Sequence, residues 1–350
     1  MKNFISRKTV SCLVLAFNMI FSSCNFLWGG IAGESYEEMF DSMWKDYKET
    51  YALFTVRNVD WDASYEKYRP LIDNCENDRD FFDVCKQMLY ELKDAHVYIK
   101  APFDSMNSGD VNTNLDIFSL NTVTEKYITD VKKCGIGIFT YGRIKSDEDI
   151  GYVHICAFNS GRTGISQRQD WASDIDIVLE DLKDTKAIIL DVRGNRGGLT
   201  GNVSRIAGRF CKEDKTYAVS KTKNGPGKND FGAAVELTIK KKGSWQYTKP
   251  VVLLTNAQTM SAGEEFTLAM KSQPHVIQTG TPTCGVFSLA LERCLANGWK
   301  YSVSVQYVTD EYGVCHEGKG IIPEEECLLK NLTADTDLQF LKALEIVEGL

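Results

Sequence analysis

The segment KPVVLLTNAQTMSAGEEF, Lys249 to Phe266, constrains the fold more than any other stretch of the chain. Its apolar run, Val251 to Leu254, shows no polar alternation, as a strand buried on both faces requires. A polar turn follows, then Ser261-Ala262-Gly263, then Glu264-Glu265 ahead of the apolar-periodic Phe266 to Met270. Buried strand, tight turn and helix put the Ser261 hydroxyl at a helix N-terminus. There, free N–H groups and the positive dipole end favour a developing negative charge. The same residues also read as a plain helix cap, with Ser261 at the N-cap and Glu264 completing a capping box.

A second run of the same kind, Ala187-Ile188-Ile189-Leu190-Asp191-Val192-Arg193, ends in charge and is followed by Gly194-Asn195-Arg196-Gly197-Gly198. Adjacent glycines after a buried strand allow positive φ and let another group approach their N–H groups closely. Further strands are expected at 134–141, 151–158, 235–239, 276–279 and 301–308, with helices at 171–182, 202–210 and 338–347 between them. Strands alternating with helices through 151–350 predict a layered α/β core. Upstream, Met39, Phe40, Met43, Trp44, Tyr47 and Tyr51 recur at helical spacing, as do Phe81, Phe82, Cys85, Met88, Leu89 and Leu92. Residues 24–100 therefore read as a small helical subdomain. Residues 101–150 read as a connecting or lid segment, loop-rich from 100 to 130.

The N-terminus has the layout of an export signal. Lys2, Arg7 and Lys8 precede a short apolar stretch, Val10 to Phe21, that ends in Phe-Ser-Ser-Cys at 21–24. Small residues before Cys24 resemble a bacterial lipoprotein signal, so residues 1–23 are set aside and Cys24 is expected to carry lipid. Asn25-Phe26-Leu27-Trp28 lack an acidic cluster, which points to the periplasmic side of the outer membrane. Eleven cysteines fit an oxidising compartment. Cys75/Cys85, Cys284/Cys294 and Cys315/Cys327 are close enough in sequence to suggest local bridges, although spacing does not define connectivity. The net charge of −8, with acids and bases interspersed, argues against nucleic acid as a partner. Four scattered histidines and no C-x-x-C pair argue against a structural zinc site, and no cofactor is called for.

If Ser261 is a nucleophile it needs a base and an oxyanion site. Ala262 and the Gly197-Gly198 turn could supply the N–H donors. Of the histidines, His154 lies mid-strand among apolar neighbours, His275 follows Pro274 in a surface turn, and His316 adjoins Glu317 in a late loop. His96 sits at a helix-to-strand junction, where side chains reach a cleft, and is the best placed.

Four stretches in order carry a family resemblance: AIILDVRGNRGG at 187–198, KPVVLLTNAQTMSAGEEF at 249–266, IQTGTPTCG at 277–285 and GKGIIPEEE at 318–326. Together they resemble the tail-specific (C-terminal processing) peptidases of serine peptidase family S41. The resemblance implies a ClpP/crotonase-like spiral of β-β-α units and makes Ser261 the nucleophile. The Ser–Lys dyad of the bacterial branch is missing, since no lysine occurs between Lys271 and Lys300 and position 286 is Val286. The chain instead resembles the tricorn-like branch, which implies His96 as base and Glu317 as the supporting carboxylate. Ala95 stands where that branch has a serine, which makes the site closer to a triad. Residues 100–150 are too few for the PDZ domain of about 80–100 residues common in the family. The expected function is an exported serine peptidase acting on peptide or unfolded protein and held at the membrane through Cys24. The alternative is an inactive ligand- or peptide-binding lipoprotein on the same scaffold.

Overall fold

The computed structural model describes residues 35–109, 118–161, 168–327 and 336–350. The expected signal, Cys24 and its lipid lie outside the described residues. Among those described, no helix is long and apolar enough to cross a membrane.

The core is a seven-stranded mixed sheet in the order β14-β10-β9-β6-β5-β4-β3. The strands are β3 (Ile128–Cys134), β4 (Phe139–Ile144), β5 (Asp147–Ile155), β6 (Ala187–Asp191), β9 (Val251–Thr255), β10 (Val276–Gly280) and β14 (Glu325–Glu326). Strands β3, β4 and β5 form an antiparallel meander, whereas β5, β6, β9, β10 and β14 run parallel. The apolar runs at β6 and β9 are continuous because both faces of these strands are covered. Ile188, Leu190, Val251 and Leu253 pack with α6 (Ile175–Asp181), α7 (Thr200–Ala207) and α8 (Ala262–Lys271) on one side. Ile189, Val252 and Leu254 pack on the other side against α9 (Leu338–Glu348) and Val123 of α5 (Leu120–Tyr127). This three-layer arrangement is the α/β class expected from the alternation of strands and helices.

The N-terminal helices are α1 (Tyr36–Thr50), α2 (Phe54–Arg57), α3 (Trp61–Ile72) and α4 (Asp78–Tyr90). Ser35 opens α1 with a capping box: its hydroxyl accepts from the Glu38 N–H and the Glu38 carboxylate accepts from the Ser35 N–H. These helices share a core with a four-stranded sheet, β11-β12-β1-β2, built from β1 (Tyr98–Ala101), β2 (Asp104–Asn107), β11 (Ala290–Cys294) and β12 (Lys300–Ser304). Strand β1 pairs with β12 across some two hundred residues of chain, with Ile99 opposite Tyr301. The third sheet, β13-β7-β8, contains β7 (Lys215–Thr222), β8 (Val235–Ile239) and β13 (Gln306–Asp310).

Four expectations change. The single strand expected at 134–141 is the end of β3, a tight helical turn at Gly135–Gly137 and the start of β4, which pairs back on β3. The stretch 100–130 is not mainly loop: it holds β2, α5 and the start of β3, and only residues 110–117 fall outside the described residues. Strand β2 escapes a periodicity test because it is four residues long and mostly polar. The single strand expected at 301–308 is two strands in different sheets, β12 and β13, separated at Val305. Finally, all nine described cysteines are free thiols. Cys85 is wholly buried inside α4 whereas Cys75 sits in the turn before it, and Cys284 lies by the candidate site whereas Cys294 is exposed on β11.

Beyond the end of β6, Arg193 is wholly buried. Its guanidinium reaches Asp191 at 2.8 Å and Asp337 at 2.8 Å, and stacks over Phe118. Burial would push the Asp191 carboxyl up, but the guanidinium outweighs it and holds the group below the ordinary value. Removing the cation leaves two buried carboxylates unpaired. Arg193→Met is therefore expected to cost roughly 3–5 kcal/mol at neutral pH. The loss should shrink toward acid pH as the orphaned carboxylates take protons. Urea unfolding at both pH values checks this, and a pH-independent loss would contradict it.

Candidate active site

Strands β6, β9 and β10 are adjacent, parallel and level, with Asp191 opposite Leu254 and Leu254 opposite Thr279. The loops that leave their C-terminal ends therefore emerge side by side, where open α/β sheets place ligands. The Thr259 hydroxyl donates to Val192 O at 2.9 Å, Met260 N–H donates to Asn195 O at 3.0 Å, and Cys284 N–H donates to Thr259 O at 2.9 Å. Each loop is thus stitched to its neighbour.

Ser261 occupies the sharp turn into α8 with φ 55° and ψ −124°, a left-handed φ that a residue with a Cβ adopts at a cost of about 1–3 kcal/mol. The turn is held by Glu264, one turn into the helix and wholly buried. Glu264 Oε2 accepts from Ser261 N–H at 3.2 Å and from Val286 N–H at 2.7 Å. Its Oε1 accepts from the Thr283 hydroxyl at 2.6 Å and from Gly285 N–H at 2.6 Å. Burial pushes the carboxyl up to about 7, against the pull of these donors. Glu264 does complete the acidic half of a cap, as the sequence suggests, and it also binds the loop after β10.

The N–H of Ala262, the first residue of α8, has no acceptor among the described residues, and neither has that of Gly198 in the loop after β6. Gly197 differs from expectation, because its N–H is taken by Asn195 Oδ1 at 2.8 Å. Its part is close approach. A Cβ at Gly197 would lie 2.7 Å from Ala262 N and 2.9 Å from Ser261 Cβ, so only glycine admits the contact. Asn195, which the sequence did not single out, pins the turn further by donating to Ile155 O at 2.9 Å.

His96 arrives from the other end of the chain, at the turn between α4 and β1. Its main-chain oxygen accepts from the Ser302 hydroxyl, and its N–H donates to Asp94 Oδ1 at 2.8 Å. The imidazole is largely buried and faces the Ser288 main chain. Burial lowers its pKa, and Asp94 and the Ser288 main chain only partly restore it. Ser261 N–H donates to Val286 O at 3.1 Å. The serine turn is thus bonded to the segment 286–288, whereas the imidazole lies beside the Ser288 main chain with its Nδ1 buried and without a partner, and no hydrogen bond joins it to Ser261 among the described residues. Residues 286 and 288 are separated by at most about 7 Å of chain.

Glu317 does not bond the imidazole directly. Its Oε2 accepts from Phe287 N–H at 2.9 Å and from Ser288 N–H at 3.3 Å, and its Oε1 accepts from Arg57 of α2 at 2.6 Å. Burial and the nearby Asp94 push its carboxyl up to about 8, with Arg57 opposing them. Arg57 and Asp94 were not picked out from the sequence; the Asp-Ala-His spacing was the one visible hint of Asp94. The remaining histidines lie elsewhere. His154 is buried under Arg193 and Phe118, His316 pairs with Asp310 at 2.8 Å, and His275 is partly buried behind β9. Among the described residues no cluster of His, Cys, Asp or Glu could hold a metal ion.

Glu264→Gln puts an amide NH₂ where one carboxylate oxygen now faces two donors. We expect a loss of about 1–3 kcal/mol from the buried unmatched donors. The melting temperature should fall accordingly in thermal unfolding; an unchanged melting temperature would overturn this account of the turn.

The comparisons with known proteins agree with this architecture. The sequence model of "Peptidase family S41" matches residues 149–327, just over half the chain, and that of the "Tricorn protease C1 domain" matches residues 32–90. The carboxy-terminal processing protease CtpA of Bacillus subtilis (strain 168) is 25% identical over 197 residues, covering 55% of this chain and 38% of that protein. The chain thus spans well under half the length of that curated relative. A crystal structure from Parabacteroides merdae, described as that of a peptidase, aligns with a TM-score of 0.75 at 28% identity, covering 91% of this chain and 96% of that one. Mature CPAF aligns with a TM-score of 0.66 at 11% identity over 90% and 95% of the two chains, a likeness of fold alone. The chain belongs to peptidase family S41.

Proposed function

We propose that the chain is an exported serine peptidase in which Ser261 is the nucleophile, His96 the base, and the Ala262 and Gly198 N–H groups the oxyanion donors. The observation that supports this reading is the bond of the Ser261 turn to Val286 O, two residues from the Ser288 main chain that flanks the His96 ring, together with the Ala262 and Gly198 N–H groups that have no acceptor among the described residues. The substrate is a peptide or unfolded protein, in keeping with the family and with relatives described as carboxy-terminal processing proteases.

In this scheme the Ser261 hydroxyl attacks the peptide carbonyl while the neutral His96 imidazole takes its proton. The negative charge that develops on the carbonyl oxygen meets the Ala262 and Gly198 N–H groups at the positive end of α8. Collapse of the intermediate breaks the C–N bond, and His96 returns the proton to the leaving amine. Water, deprotonated by His96, then hydrolyses the acyl-serine. Glu317 contributes at one remove, by holding the Phe287 and Ser288 N–H groups. The strained φ at Ser261 is consistent with such a role, since strain of this kind collects where geometry serves chemistry.

A fluorophosphonate probe should label the wild type at Ser261, and Ser261→Ala and His96→Ala should each abolish labelling and cleavage of a denatured protein. Robust labelling of His96→Ala would remove His96 as base. Because burial lowers the His96 pKa, the base stays neutral to lower pH than a free imidazole. The acid limb of the labelling rate is expected below the ordinary histidine value of about 6.5. An acid limb above that value would contradict the assignment.

Lipid anchoring at Cys24 on the periplasmic side of the outer membrane belongs to the same proposal and rests on the charged, apolar and small-residue pattern of residues 2–24. Incorporation of labelled palmitate into the wild type, but not into Cys24→Ala, is the expected result; equal labelling of both would refute it.

A further inference from the structure

Between the N-terminal helices and the three-stranded sheet lies a trough made of two joined clefts. One, of about 650 Å³, has Lys48, Tyr51, Phe54, Trp61, Lys223 and Lys228 in its walls. The other, of about 630 Å³, has Lys221, Lys228, Phe231, Ala234 and Tyr307. Ala52, Thr55 and Lys228 belong to both, so the two are continuous. The trough is basic on a chain whose net charge is −8. The two carboxylates that line it are already engaged: Asp62 pairs with Lys48, and Asp60 caps α3 by accepting from Ala63 N–H at 3.1 Å. Lys221, Lys223 and Lys228 form no ion pair among the described residues. For the exposed Lys221 and Lys228 that is ordinary, but Lys223 is only 7% exposed. A buried charge is normally paired. An ammonium has three donors, and the acceptor that Lys223 finds is Gly227 O. Its ammonium otherwise lies over the Phe231 ring, 5.3 Å from the centroid. Asp230, on the same loop, accepts from Gly227 N–H at 2.6 Å and leaves Lys223 without a counter-ion.

We propose that this trough binds an acidic, extended segment of the polypeptide to be cut, with Lys223 and Lys228 meeting its carboxylates and the aromatic walls its apolar side chains. The identity of the occupant rests on the peptidase reading. The main chain ties the trough to the candidate site. Val305 N–H donates to Leu289 O at 2.9 Å, and Lys223 N–H donates to Val305 O at 2.9 Å. Leu289 follows Ser288, whose main chain flanks His96. Three hydrogen-bonded neighbours at a strand spacing of about 4.8 Å put the Lys223 main chain about 10 Å from that of Leu289. An extended peptide covers such a gap in about three residues. An acidic residue held by Lys223 would thus sit a few residues from the bond that Ser261 attacks, and one chain can fill both places. The shape of the trough favours a polypeptide over a small anion. A lone phosphate at Lys223 would leave the walls at Trp61 and Tyr307, in different clefts, uncovered. Charge complementarity of this kind acts on specificity and on the rate of encounter.

The test is fluorescence anisotropy with the full chain carrying Ser261→Ala, so that binding is read without cleavage. The probes carry an uncharged dye: an unstructured peptide rich in Glu and Leu, its counterpart with Gln for every Glu, and one with Lys for every Glu. The Glu peptide should bind tightest, and more weakly as salt is raised. Adding Lys228→Glu should weaken the Glu peptide about tenfold, leave the Gln peptide nearly unchanged and strengthen the Lys peptide. Lys223→Met should weaken the Glu peptide in the same way. If that variant does not fold, Lys228→Glu still decides the matter, because Lys228 is exposed. Lys240→Glu is the control, just past the end of β8 that lies away from Ala234, and should change none of the three. Equal binding of the Glu and Gln peptides, or a loss in Lys228→Glu that is the same for all three, would overturn the proposal. Displacement of the Glu peptide by inorganic phosphate at constant ionic strength would also overturn it, in favour of a small-anion site. A dimer in sedimentation that Lys228→Glu dissolves would overturn it in favour of a second copy of the chain. In the protein that retains Ser261, Lys228→Glu should raise KM for a Glu-rich substrate and leave kcat alone. Binding with the expected charge pattern, but no fluorophosphonate labelling of Ser261, would count against the peptidase reading and not against the trough.

Discussion

Glu264 is the interaction on which the geometry of the site depends. A carboxylate has room for about four donors, and this one has four: the Ser261, Gly285 and Val286 N–H groups and the Thr283 hydroxyl. A buried charge is tolerated when its hydrogen bonds are satisfied, and here those bonds fix the start of α8 against the loop after β10. Val286 O in turn accepts from Ser261 N–H, so the serine turn is tied to the segment that runs past His96. A helix cap and a reactive turn are not competing descriptions of Ser261, because the carboxylate that caps the helix also anchors the wall of the site.

The second half of the site is assembled by different physics. His96 is carried by a sheet in which β1 borrows β12 as its neighbour, over a core of aromatic side chains shared by α1, α3, α4 and the 291–307 stretch. Tyr47 shows how closely the parts are joined: it lies in α1, stacks on Tyr301 and donates to Ser302 O at 2.6 Å. The serine side relies on level parallel strands and main-chain bonds, the histidine side on apolar burial and a few internal charges. The segment 285–288 is where the two meet, with Glu264 holding one end and Glu317 the other.

Much of this was legible in the sequence where a local rule carries the information. The strands β6 and β9 announce themselves as unbroken apolar runs because they are covered on both faces, and Ser261-Ala262-Gly263 reads as a strand-to-helix turn for the same reason. The glycines at 197 and 198 were legible as a close approach, but which of them keeps a free N–H depends on Asn195 folding back, and spacing does not encode that. Strands β2 and β11 were missed because they are short and lack a buried alternating face. Arg57 was illegible for a stronger reason: its partner is 260 residues away, and no pattern around Leu53 to Val59 foretells it. The cysteine pairs suggested by spacing are free thiols: Cys85 is buried inside α4, and Cys75, in the turn before it, packs only against the edge of the same core.

The pairing of β1 with β12 also governs when the molecule becomes complete. During synthesis the helices around His96 emerge first and Ser261 much later, yet the strand that seats His96 has no partner until residues 300–304 exist. Glu317, which fixes the Phe287–Ser288 segment, is made later still. Contacts this distant close slowly, because the entropy of a long loop must be overcome before they form. A chain that already displays the serine turn therefore still lacks the strand pairing that seats His96. The two halves of the candidate site come together only when the most distant contacts of the fold have closed, so its geometry reports on completed folding and not on the local formation of either half.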